Sequence, residues 1–106
     1  MSNPLSPRLL RSLEKFGHDM EVARKKRHLT IAALCERAGI SPGLYRRMVA
    51  GAPGTAVGAY AMVLFALGLG MPFEDLIDPG TDDTGLLLDE ERLPQRVRMR
   101  KKPVTL

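Results

Sequence analysis

The chain contains one cysteine, two histidines and no long apolar run. A single cysteine excludes an internal disulfide, and Cys35 lies among small apolar residues, where a packed thiol is expected rather than a nucleophile. No stretch approaches the roughly 18 consecutive apolar residues typical of a membrane span, and the N-terminus lacks an apolar signal core. We therefore expect neither membrane insertion nor secretion, and the lone thiol fits a reducing cytoplasm.

Candidates for catalysis and metal binding are also missing. His18 and His28 have no acid or nucleophile at a workable spacing, and each lies in a charged segment where a solvated imidazole is expected. We therefore expect no enzyme activity, no metal site and no cofactor.

The charge balance is basic, with 16 Lys and Arg against 12 Asp and Glu in 106 residues and a pI of about 9.6. This length fits one domain with a small helical core. A basic pI in this range favours a nucleic-acid partner, the alternative being a soluble protein that is merely basic.

The segment 30–51 predicts two short helices joined by a tight turn. Thr30 can cap the first helix, in which Ile31, Leu34 and Ala38 recur at helical spacing. A glycine then ends it at Gly39, because this residue readily adopts the left-handed conformation common at helix ends.

The second helix of this segment is expected to start at Ser41, a capping hydroxyl, followed by a proline at the first helical position. Leu44 and Met48 point inward at a spacing of four, whereas Arg46 and Arg47 lie on other faces. Two helices joined by such a turn form a helix-turn-helix whose second helix can enter the DNA major groove, although an ordinary helical corner has the same spacing.

The residue pattern LTxxxLxxxAGIS followed by LYRRMxxG resembles the lambda-repressor-like (XRE or Cro type) DNA-binding domains. The resemblance extends over about residues 16–77 and implies an all-α, five-helix fold. The residues that carry it are Leu29, Thr30, Leu34, Ala38, Gly39, Ile40, Ser41, Leu44, Arg47, Met48 and Gly51.

The resemblance implies a homodimer that binds double-stranded DNA at an inverted repeat, with half-sites about one helical turn apart. Arg47 is expected to read a base and Arg46 to contact a phosphate. The predicted DNA-binding residues are Thr30, Ile31, Ser41, Pro42, Gly43, Tyr45, Arg46 and Arg47.

Three of these positions depart from the family pattern. Ile31, Pro42 and Gly43 stand where the family often has polar base readers, and their side chains donate no hydrogen bond. Specificity is therefore expected to rest on few contacts together with DNA shape.

A first helix is predicted from about Arg8 or Ser12 to Arg27, with Leu13, Phe16, Met20 and Ala23 as its apolar stripe. In the family, an arginine matching Arg24 often pairs with a glutamate at the position that Val49 occupies here. Either Glu21 or Glu36 replaces that partner, or Arg24 contacts phosphate. The predicted phosphate or tail contacts are Arg24, Lys26, Arg96, Arg98 and Arg100.

The helix predicted from about Ala56 to Leu67, with Thr55 as its cap, is apolar nearly all round and must be covered on most faces. A homodimer interface through Tyr60, Leu64 and Phe65 would cover it, and complete burial within the monomer is the alternative. A last short helix, PFEDLI, is expected to begin at Pro72.

These features divide the chain into an N-terminal arm (1–11), a DNA-binding domain (12–77) and an extension (78–106) with an acidic linker and a basic tail. In the extension, Leu86 and Leu88 could pair across the dimer as a strand or a helical turn. The alternation from Arg96 to Arg100 fits either a strand or a disordered tail.

The short extension with its basic end is similar to that of HipB-like antitoxins, which repress their own operon and bind a HipA-type kinase toxin. The sequence therefore predicts a dimeric transcriptional repressor with a HipA-like kinase toxin as a candidate partner. The alternative is a protein-interaction module that keeps the helix-turn-helix as a scaffold and binds DNA weakly.

Overall fold

The computed structural model describes residues 5–91, and every regular element within this range is helical. The all-α prediction is therefore confirmed for this part of the chain. The α-helices are α1 (Pro7–Lys26), α2 (Ile31–Ala38), α3 (Pro42–Val49), α4 (Val57–Ala66) and α5 (Asp83–Glu91), with single 3-10 turns at Pro72–Glu74 and Pro79–Thr81.

The described residues divide after Pro72 into two units. The first unit holds α1 to α4 and the second holds α5. The division comes a few residues before the domain end that we predicted at residue 77.

Helix α1 begins at Pro7, within one residue of the earlier of its two predicted starts, Arg8. The Ser6 hydroxyl accepts a hydrogen bond from the Leu9 amide at 3.2 Å, and Pro7 occupies the first turn, where its missing N–H costs nothing. Residues 7–11 are consequently helical, and the arm predicted over residues 1–11 was too long.

Helices α2 and α3 begin and end where the sequence predicted. The Thr30 hydroxyl accepts from the Ala33 amide at 3.0 Å, and the Ser41 hydroxyl accepts from the Leu44 amide at 3.0 Å. Gly39 ends α2 with a φ of 74°, a left-handed conformation that a side chain would strain. Only Gly39, Ile40 and Ser41 separate the two helices.

The core of the first unit lies between α1, α2, α3 and α4. Gly17 lets α1 approach the α3 backbone closely, because a Cβ at this position would lie 2.5 Å from the Met48 carbonyl oxygen. The buried apolar residues are Met20, Leu34, Cys35, Ala38, Tyr45, Met48, Val63, Leu64 and Leu67.

Two predictions about the later elements were wrong in detail. Helix α4 starts after Ala56 without a side-chain cap, and the Thr55 hydroxyl instead donates to the Ala52 carbonyl oxygen at 3.4 Å. The segment PFEDLI forms one 3-10 turn at Pro72–Glu74, and Leu76 and Ile77 after it are exposed.

In the second unit, Leu86 to Leu88 lie within α5, so the helical alternative holds and the strand alternative does not. The Asp82 carboxylate accepts from the Gly85 amide at 3.0 Å near the start of this helix. The predicted strand at Arg96–Arg100 lies outside the described residues.

Across residues 5–91, no helix combines the length and the apolar character needed to cross a bilayer. The same range contains no cluster of three or more histidine, cysteine or acidic side chains arranged to hold a metal ion.

Candidate nucleic-acid interface

The two faces of α3 differ in burial. Tyr45 and Met48 are fully buried and Leu44 is half-buried, so these residues anchor α3 to the core. The opposite side carries exposed Pro42, Gly43, Arg46 and Arg47, and the capping residue Ser41 is exposed as well. The structure thus brings five of the eight predicted DNA-binding residues to one solvent-facing surface.

Both arginines of this surface are available to a ligand. Within the described residues, no hydrogen bond or ion pair engages the side chain of Arg46 or Arg47. The five hydrogen bonds that arginine side chains donate in this range come from Arg24 and Arg27. Two exposed guanidinium groups lie beside the exposed start of α3, where the first-turn amides carry a partial positive charge. Both features attract negative charge, so this surface favours an anionic partner.

Tyr45 is not part of this surface, which corrects its prediction as a DNA-binding residue. Its ring is fully buried, and its hydroxyl donates to the Glu21 carboxylate at 2.7 Å. A phenol held in this way cannot contact DNA without leaving the core, so Tyr45 positions α3 against α1.

Thr30 and Ile31 at the start of α2 have limited reach. The Thr30 hydroxyl caps α2, which uses one of its acceptor sites, although the residue is exposed. Ile31 is half-buried against the core, so only part of its side chain faces solvent.

Arg24 forms an internal ion pair, which contradicts its prediction as a phosphate contact. Its guanidinium donates twice to the Glu21 carboxylate, at 3.0 and 2.6 Å, and once to the Leu29 carbonyl oxygen at 2.5 Å. Only 11% of the Arg24 side chain is exposed. Glu21 is therefore the partner of Arg24, and it was one of the two carboxylates that the sequence offered for this role.

The Glu21–Arg24–Tyr45 network sets the charge states of its members. Hydrogen bonds from Arg24 and from Tyr45 hold the pKa of Glu21 down at about 2, although burial opposes the shift. The hydrogen bond to Glu21 raises the pKa of Arg24, and burial together with the same carboxylate raises the pKa of the Tyr45 phenol. The network thus contains a charged carboxylate and a charged guanidinium, both on α1. The carboxylate holds α3 through Tyr45, and the guanidinium holds the segment before α2 through the Leu29 carbonyl oxygen.

Acid should destabilise the protein through Glu21. Its pKa falls from an ordinary 4.5 to about 2 on folding, so this stabilisation is complete above pH 4.5 and is lost as the pH falls through 2. The loss should reach about 3 kcal/mol, measured as the free energy of urea unfolding between pH 5 and pH 2. In Glu21→Gln the free energy of unfolding should change less between pH 5 and pH 2. An unchanged pH dependence would contradict the low pKa of Glu21.

Lys26 and the three arginines of the tail are the remaining predicted phosphate or tail contacts. Lys26 is exposed at the end of α1, as a phosphate contact requires, and Lys25 beside it is exposed too. Arg27 instead donates to the Leu67 carbonyl oxygen at 2.6 Å and joins the ends of α1 and α4. Arg96, Arg98 and Arg100 lie outside the described residues.

The predicted dimer residues of α4 are not all on its outer surface. Leu64 is 7% exposed and belongs to the core of the first unit, so its prediction as an interface residue was wrong. Tyr60 is half-buried and its ring packs against Phe16, with centroids 5.4 Å apart. Phe65 is 62% exposed, as an interface residue should be, and Val57 and Met62 are also exposed.

Two further predictions concern residues outside these surfaces. Leu86 and Leu88 in α5 are exposed, at 41% and 50%. Cys35 is buried, and burial raises the pKa of its thiol, which fits a packed thiol rather than a nucleophile.

Comparisons with protein-family models, with curated proteins and with solved structures give no significant match to this chain.

Proposed function

We propose that this protein is a sequence-specific, dimeric DNA-binding repressor of the lambda-repressor-like kind, located in the cytoplasm and without enzyme activity. The observation that carries the proposal is the exposed side of α3, while Tyr45 and Met48 hold the helix in the core. Arg46 and Arg47 lie on this side, and neither forms a side-chain hydrogen bond or ion pair within residues 5–91. The net charge of +4 adds a general attraction to DNA.

The N-terminal end of α3 supports close approach to a duplex. Pro42 and Gly43 are small or compact, and a Cβ at Gly43 would meet only the Ser41 hydroxyl, at 4.0 Å. The backbone amides there can approach a phosphate, and the two arginines on the following turn can reach base edges and a second phosphate.

A dimer through the outer side of α4 fits the proposal. Val57, Met62 and Phe65 expose 63%, 48% and 62% of their surface, and a second copy would remove this apolar area from water. The protein would repress transcription by occupying a promoter. In the antitoxin form of this proposal, it controls its own operon beside a HipA-like kinase toxin.

Arginine substitutions should separate base reading from phosphate contact. We expect Arg47→Ala to lose about 1–3 kcal/mol of discrimination between sites, because a bidentate contact to guanine disappears. Arg46→Ala should weaken binding to all sequences and lower the salt-dependence slope by about one, because one phosphate contact is lost. Fluorescence anisotropy with DNA from upstream of the protein's own coding region, at several salt concentrations, measures both effects.

The matched control is Arg37→Ala, which removes an exposed arginine from α2 rather than α3. It should change affinity much less than either α3 variant, and all three should keep the wild-type stability within about 0.5 kcal/mol. Equal losses of DNA affinity in all three variants would show that affinity depends only on net charge, which would contradict the proposed interface.

The second candidate function is a protein-interaction module with weak DNA binding. The observation that favours it is the apolar outer side of α4, together with the absence of side-chain donors at Ile31, Pro42 and Gly43. In that case wild-type binding to the upstream duplex should be no tighter than to an unrelated duplex of the same length.

A further inference from the structure

A groove of about 320 Å³ lies between α2 and α4 and is open to solvent on one side. It is separate from the exposed side of α3. The residues that line it are Arg37, Ala38, Ala61, Met62, Phe65 and Met71.

The groove owes its depth to small residues and its walls to large ones. Ala38 and Ala61 leave space between the two helices, whereas Met62, Phe65 and Met71 expose 48%, 62% and 60% of their surface around it. Methionine side chains are unbranched and adapt to the shape of an apolar ligand. A hydrocarbon tail would therefore replace water along these walls.

Among the residues that the structure describes, Arg37 is the only ionisable one that lines the groove. The sequence from Met48 to Phe73 contains no charged residue at all, so α4 and the segment after it supply no carboxylate to neutralise the guanidinium. Within residues 5–91, no hydrogen bond or ion pair engages the Arg37 side chain either. A planar guanidinium in this setting matches a carboxylate, which it can hold through two parallel hydrogen bonds.

We propose that this groove binds a small amphipathic acid, whose carboxylate pairs with Arg37 and whose short hydrocarbon tail lies against Met62, Phe65 and Met71. The volume is at the lower end for small-molecule sites, which fits a single short tail rather than a large cofactor. One cation at the edge of an apolar surface selects a monoanion over neutral or cationic molecules of the same shape.

Three eight-carbon probes test the charge requirement on the full chain: octanoate, 1-octanol and octylammonium. Methionine methyl NMR should show saturable shifts of Met62 and Met71 with octanoate, while the core residues Met20 and Met48 stay unchanged. Octanoate should bind at least about tenfold more tightly than octylammonium, because only the carboxylate pairs with arginine. Equal affinity for the two ions, or no saturable shift with octanoate, overturns the proposal.

Two variants and one control localise the site. Arg37→Gln should lower the octanoate affinity to that of 1-octanol, and Ala61→Leu should block both probes by filling the groove. Arg46→Gln removes an exposed arginine from α3 and should leave octanoate binding unchanged. Unshifted Met20 and Met48 signals in each variant verify that the core is intact, and octanoate binding unaffected by Arg37→Gln would contradict the assignment.

Met62 and Phe65 also belong to the proposed dimer surface, so an acid and a second copy should compete for them. The apparent dissociation constant for octanoate should then rise with protein concentration, an effect that rests on the proposed dimer. Binding without competition would reject only the overlap between the groove and the dimer surface. Absence of binding even at protein concentrations where the chain is monomeric would reject the ligand site itself, whatever the result of the DNA experiments.

Discussion

Gly17→Ala should lower the free energy of unfolding by about 2 kcal/mol or more. The new methyl group would lie 2.5 Å from the Met48 carbonyl oxygen and closer still to that of Val49. Both atoms are backbone, so α1 and α3 would have to separate, and overpacking of this kind costs about 1–3 kcal/mol or more. The higher helix propensity of alanine offsets at most about 1 kcal/mol of this.

Gly58→Ala is the matched control for Gly17→Ala. Gly58 also lies in a helix, but a Cβ there would meet no atom within 4 Å. The same substitution should therefore stabilise the protein by about 0.5–1 kcal/mol, because only the propensity effect remains. Urea unfolding of the two variants should give opposite signs, and a Gly17→Ala protein as stable as wild type would contradict the close approach of α1 to α3.

Glu21→Ala should destabilise the protein by about 3–5 kcal/mol. The substitution leaves the Arg24 guanidinium, which is 11% exposed, without its carboxylate, and it removes the acceptor of the buried Tyr45 hydroxyl. Removing one partner of a largely buried ion pair is costly because the remaining charge stays desolvated. The measurement is the free energy of unfolding at neutral pH.

Tyr45→Phe provides the comparison within the same network. It deletes one hydrogen bond to Glu21 but keeps the ring in the core and the ion pair intact, so the expected loss is about 1 kcal/mol. The double variant should lose less than the sum of the two single losses, since both changes act on one carboxylate. Additive losses would indicate that Tyr45 and Glu21 do not interact.

The features that the sequence predicted well are those decided within a few residues. The cap at Thr30, the glycine end of α2 at Gly39 and the Ser41–Pro42 start of α3 each depend on one side chain and the amides next to it. Local chemistry of this kind is visible in the sequence, so the two helices and their turn were correct.

The features that the sequence missed depend on contacts between distant segments. Tyr45 was predicted as a DNA-binding residue, and nothing local showed that Glu21, 24 residues away, would accept a hydrogen bond from its hydroxyl. Gly17 carried no signal either, because its role depends on where the α3 backbone crosses α1.

Helix α4 was ambiguous for a different reason. Its residues are apolar on every side, so periodicity could not separate the buried Leu64 from the exposed Phe65 next to it. Only the packing of α4 against α2 and α1 decides which side chains enter the core. The candidate dimer surface could therefore be placed on this helix, but the sequence could not show that Phe65 is exposed and Leu64 is buried.

The most direct test of the α3 interface is amide NMR of the full chain during titration with the duplex from upstream of its own coding region. We expect the largest amide shifts at Ser41, Gly43, Arg46 and Arg47, whereas the amide signals of the buried Leu34 and Val63 should change little. Shifts confined to residues 92–106, or the same small shifts with any duplex, would contradict the claim that the exposed side of α3 binds specific DNA.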